Sequence, residues 1–87
     1  MNVHFMKIDQ QFYFDILYCE KRFEYRKDDR YINVGDFVTL HEVYDGRVTG
    51  HYVKVFVTYV LRDVPQYGLP DGYCVFGFSI VEVRNGT

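Results

Sequence analysis

Val53, Val55, Val57, Tyr59 and Leu61 alternate with Tyr52, Lys54, Phe56 and Thr58, the period of two that sends successive side chains to opposite faces of a strand. The same period predicts strands over Val3 to Ile8, Phe37 to Tyr44 and Tyr73 to Val83, with Phe76, Phe78 and Ile80 sharing a face in the last. Val3 to Ile8 carries apolar residues on both faces and reads as an interior strand. After it the period lengthens. Phe12, Tyr13, Ile16 and Leu17 fall on one side of a helix running to about Glu20, and Asp9 is placed to cap its first turn. Beyond Lys21 the period of two returns, with Phe23 and Tyr25 alternating with Arg22, Glu24 and Arg26. A strand here puts the aromatics in the core and the charges on the opposite face, Glu24 and Arg26 about 7 Å apart.

Turn chemistry separates these runs. Asp28, Asp29 and Asn33 favour turns, and Val34-Gly35-Asp36 predicts a tight turn into the Phe37 strand. Tyr44-Asp45-Gly46-Arg47, with Gly50 following, predicts a hairpin whose loop has several residues. Pro65, Gly68, Pro70 and Gly72 make 62–72 a loop, and Asn85-Gly86-Thr87 reads as a frayed tail. One helix among several strands predicts an α+β fold, a small mixed or antiparallel β-barrel with the helix closing an end.

With 87 residues there is room for one core only, so the chain is a single domain over 1–87. It is 48% hydrophobic and 20% aromatic, which excludes a disordered chain. No apolar run reaches the length of a bilayer and no leader pattern opens the chain, so the expectation is a cytoplasmic protein with no membrane partner. Cys19 and Cys74 are too few for a disulfide framework and read as free thiols packed as small apolar residues. His4, His41 and His51 lack metal-ligand spacing, so neither metal nor cofactor is expected.

Charge changes this picture at one place. The net charge of −2 excludes a general nucleic-acid coat protein, yet residues 21–30 hold five of the ten Lys and Arg against three of the twelve acids. Lys21, Glu24 and Arg26 there form a candidate nucleotide site. Arg26 would pair with a phosphate or base edge through its planar fork, Lys21 would add a point charge, and Glu24 would accept from an exocyclic amine or ribose hydroxyl. The competing reading is a surface ion-pair ladder worth about 0–1 kcal/mol. Cys19, beside Lys21 and Arg22, is a weaker candidate as a nucleophile. Tyr52, Lys54 and Phe56 on one strand face offer a surface for a protein partner.

The order of residues also carries a resemblance. His4-Phe5-Met6-Lys7, then Glu20-Lys21-Arg22-Phe23-Glu24-Tyr25-Arg26-Lys27-Asp28-Asp29-Arg30, Val34-Gly35-Asp36, Tyr67-Gly68-Leu69 and Gly72-Tyr73 together resemble the ASCH domain of the PUA-like superfamily, especially small bacterial and phage members. The family pattern G-x-K-x-x-E-x-R is matched by Lys21, Glu24 and Arg26, with Cys19 where the glycine falls. The resemblance implies a β-barrel with a helix at one end and a cleft beside it, an RNA or nucleotide partner, and Tyr73 as a base-stacking residue. ASCH-like amidohydrolases that deacylate N4-acetylcytidine share only the lysine at Lys21. They have a threonine where Glu24 stands and a glutamate on a later helical segment that 62–72 does not supply. A ribonuclease would need Glu24 or His4 as its base.

Overall fold

The computed structural model describes residues 1–85. Gly86 and Thr87 of the expected tail lie outside the described residues. The elements follow as β1 (Val3–Asp9), α1 (Gln10–Tyr18), β2 (Phe23–Lys27), β3 (Phe37–Tyr44), β4 (Arg47–Leu61), a 3₁₀ turn over Pro65–Tyr67, and β5 (Tyr73–Arg84). The five strands make one mixed sheet in the order β1-β3-β4-β5-β2, with β1 parallel to β3 and every other pair antiparallel. The sheet curls into a half-barrel. β1 and β2 are its two edges.

The inner face is apolar but for Glu42, which accepts from Thr49 Oγ1 at 2.6 Å, because the alternating sets of β3, β4 and β5 all turn the same way. Val38, Leu40, Val53, Val55, Val57, Cys74 and Phe76 are fully buried, and Tyr13 and Ile16 of α1 close over them with Met6 and Ile8. Each such aliphatic or aromatic side chain contributes about 1.5–3 kcal/mol on burial. α1 packs against β1 and β3. Asp9 precedes it in extended conformation, but its side chain makes no capping bond.

Three expectations are corrected here. β1 is an edge strand with one buried face: His4, Met6 and Ile8 point in or partly in, while Val3 and Phe5 are exposed. Its outer apolar residue Phe5 is accommodated by stacking on His41 at 3.9 Å between centroids. The β3–β4 hairpin has a two-residue loop, since Tyr44 pairs with Arg47 and both Asp45 (φ 52°) and Gly46 (φ 76°) are left-handed. That is the backbone of a type I′ turn, whose twist matches the strands it joins. β4 therefore starts at Arg47 and runs through Gly50. In β4 the alternation also slips: Val57 pairs with Phe78 and Tyr59 with Gly77, leaving Thr58 extra. Tyr59 turns to solvent, and Val60 packs on the core instead.

The β3 entrance is held by a buried carboxylate. Asp36 accepts from the backbone N–H groups of Asn2 and Asn33, both at 3.0 Å, and from His4 Nε2 at 2.9 Å. Burial opposes its ionisation, but the His4 bond and the two N–H donors outweigh that and hold its carboxyl below the usual range. A second anchor lies across the loop after β4. Arg62 Nε donates to Asp28 at 2.6 Å and its guanidinium stacks on Tyr31 at 4.0 Å. These bonds tie the segment after β2 to the sheet.

Candidate functional site between the two edge strands

The end of α1 sets the position of β2. Glu20, not Cys19, takes the left-handed conformation after the helix (φ 59°), so Cys19 needs no glycine freedom. Asp15 C=O accepts from the N–H groups of Cys19 and Lys21, both at 3.0 Å, and Arg22 Nη1 donates to Ile16 C=O at 2.7 Å. Lys21 thus starts from a fixed backbone.

β2 faces the opposite way from the expectation. Glu24 is 5% exposed, whereas Phe23 and Tyr25 are 50% and 52% exposed. The charged set turns inward because β2 is an edge, and what lies inside it is the mouth of the half-barrel rather than its apolar centre. Glu24 is neutralised there. Lys21 Nζ donates to Glu24 Oε1, and Arg26 Nε donates to Glu24 Oε2 at 2.9 Å. Lys21 also donates to Phe23 C=O at 2.7 Å and lies over the rings of Phe23 and Phe12, 5.1 and 5.5 Å from their centroids.

Arg26 then reaches across to the other edge. Its Nη2 donates to Lys7 C=O of β1, and Arg30 Nη1 donates to Phe5 C=O of the same strand. Two guanidinium groups therefore bridge edges that no backbone ladder joins, and they occupy carbonyls an exposed strand would otherwise offer to another chain. Between the edges lies a cavity of about 530 Å³ with walls that include Lys7, Asp9, Phe12, Lys21, Phe23, Glu24, Tyr25 and Arg26. That volume lies within the range of small-ligand sites. A second cavity of about 370 Å³ continues the seam past Lys7 and Arg26 to Lys27, Asp29 and Arg30.

Of the residues singled out from sequence, Lys21, Glu24 and Arg26 meet at one point. Tyr73 does not line either cavity: it sits behind Tyr25, 5.6 Å between ring centroids, with Tyr25 presented to the cavity. His4 lines neither cavity and is committed to Asp36. Cys19 is exposed rather than packed, and Cys74 is buried. Burial, with Asp28 nearby, pushes the Cys74 thiol up to about 11. Among the described residues no group of three His, Cys, Asp or Glu side chains is placed to hold a metal ion. On the outer face His41 packs on Tyr52 at 5.0 Å, Phe37 on Phe56 at 5.3 Å, and Lys54 over Phe37 at 4.9 Å, so these side chains largely satisfy one another.

A family model matches residues 3–78, a span that contains every residue of both cavities. The chain belongs to that family, the domain of unknown function DUF3850. No curated protein matches it. For a DUF3850 domain the edge-to-edge seam is thus the feature from which function has to be argued. Sequence reasoning missed Phe12, Phe23, Tyr25 and Lys7 as parts of it. Phe12, Phe23 and Tyr25 carried a signal, since each is an aromatic within a few residues of the charged cluster, but their apolar character assigned them to the core. Lys7 carried none, because only the curl of the sheet brings β1 to β2.

Proposed function

We propose that this chain is a cytoplasmic PUA-like ASCH domain that binds RNA or a nucleotide in the cavity between β1 and β2. The observation that carries the reading is a set of unspent donors above aromatic walls. Arg26 uses two of its guanidinium N–H groups and Lys21 two of its ammonium N–H groups on acceptors among the described residues, which leaves three and one respectively for a ligand. Phe12, Phe23 and Tyr25 are exposed beside them. Donors suit phosphate oxygens or base edges, and flat exposed rings suit a stacked base.

Glu24 has a different part from the direct contact expected of it. With both oxygens engaged by cations it orients Lys21 and Arg26 and is a positioning residue. The same engagement favours binding over hydrolysis, since both Glu24 oxygens already accept from Lys21 and Arg26 and His4 is turned to Asp36, so neither is placed to take a proton from a ribose hydroxyl. Fluorescence anisotropy of a labelled single-stranded RNA panel at two salt concentrations tests the proposal. Binding should weaken with salt and fall about tenfold or more in Arg26→Ala, with the RNA intact on a gel afterwards. No binding across the panel would refute it, and RNA shortened by the wild type alone would replace binding with nuclease activity.

A further inference from the structure

We infer that the seam takes a single-stranded polynucleotide rather than a lone nucleotide, with a base in the first cavity and the adjoining phosphates in the second. This rests on the nucleic-acid reading above and extends it to residues outside the Lys21, Glu24, Arg26 group. The two cavities are adjacent, sharing Lys7 and Arg26 as common walls. Their chemistry differs. In the first, Lys7, Lys21 and Arg26 face Asp9 and Glu24, and Phe12, Phe23 and Tyr25 supply most of the apolar surface. In the second, Lys7, Lys27 and Arg30 stand against Asp29 alone, with Arg26 already paired with Glu24, and no exposed ring but Phe5 lines it.

A nucleotide has its aromatic part at one end and its charge at the other, so a single one is served by the first cavity alone. The excess of cations in the second is explained by phosphates that a mononucleotide does not have. Phe5 to Asp9 of β1 run along both cavities, a path of about 13 Å at the rise of a strand. Lys27 is exposed and its side chain makes no hydrogen bond to another described residue, so its ammonium is available. Arg30 donates to Phe5 C=O with one nitrogen, and its contact with Asp29 is a loose 4.0 Å.

Displacement of a labelled RNA by unlabelled mononucleotides and by oligonucleotides of about eight residues tests this on the intact chain, using wild type and Lys27→Ala, with circular dichroism to confirm folding. The oligonucleotide should bind at least about tenfold more tightly than the mononucleotide. Lys27→Ala should weaken only the oligonucleotide and reduce its salt slope by about 0.7, the value for one phosphate on a single strand. Equal affinities, or a Lys27→Ala variant that binds oligonucleotide as wild type does, would overturn the inference while leaving a mononucleotide site standing. Failure of both ligands to bind would remove the nucleic-acid reading itself. Lys27→Glu repeats the test with a larger charge change.

Discussion

Replacing Glu24 with Gln removes one charge from the point where β2, the end of α1 and β1 are held together, and its cost follows from the contacts. The carboxylate is 7% exposed and accepts from two cations whose side chains are 16% (Lys21) and 26% (Arg26) exposed. Gln keeps one acceptor oxygen and turns an N–H₂ toward the other cation, so one hydrogen bond to a charged group is lost, about 1.5–3 kcal/mol. A cation is also left without its counter-charge. That would cost about 3–5 kcal/mol in a fully buried pair, but water reaches both cations and returns part of it. The net expectation is a loss of about 2–3 kcal/mol, which in a domain of this size lowers the melting temperature by about 8–24 °C. Thermal and urea unfolding of wild type, Glu24→Gln, Lys21→Met and the double variant measure it. The two substitutions should be coupled by at least about 1 kcal/mol, because Met in place of Lys21 removes the cation that Gln leaves unpaired. A Glu24→Gln loss below about 0.5 kcal/mol, the scale of an ordinary surface substitution, would refute the reasoning and return the group to the status of an exposed ion-pair ladder.

Other consequences are smaller in scope. Asp36 and Asp28 bind protons less readily folded than unfolded, so the stability they supply is complete above the ordinary carboxylate range near pH 4 and is lost as pH falls through their lowered values. Urea midpoints between pH 2 and 7, scanned at about one-unit steps, should fall steeply below pH 4, and less steeply in Asp36→Asn. Cys19 is exposed while Cys74 is buried with its thiol pushed up to about 11. A thiol reagent at pH 8 should therefore modify one cysteine in the native protein and both in denaturant. Gly46→Ala places a side chain at φ 76° in the two-residue loop and should destabilise by about 1 kcal/mol by urea unfolding, whereas an unchanged midpoint would contradict the type I′ turn.

Periodicity and turn chemistry are local properties, and what depends on them was readable from the chain. The strands over Phe37–Tyr44 and Tyr73–Arg84, the helix carrying Tyr13 and Ile16, the turn at Gly35 and the clustering of Lys21, Glu24 and Arg26 all follow from spacing within a few residues. What spacing cannot convey is the side on which the core lies. In Phe23–Lys27 both alternating sets are self-consistent, one aromatic and one of mutually neutralising charges, so the period of two is the same whichever set faces inward. The tertiary structure decided it: an edge position at the mouth of the half-barrel lets Glu24 be buried between two cations and leaves Phe23 and Tyr25 exposed. The slip at Thr58 was hidden for a related reason, since an extra residue in one strand is defined only by its partner opposite, Gly77. The site itself depends on the curl of the whole sheet. Lys7 and Arg26 are nineteen residues apart in the chain, and they meet because curling the sheet brings its first edge and its last to within reach of one guanidinium group.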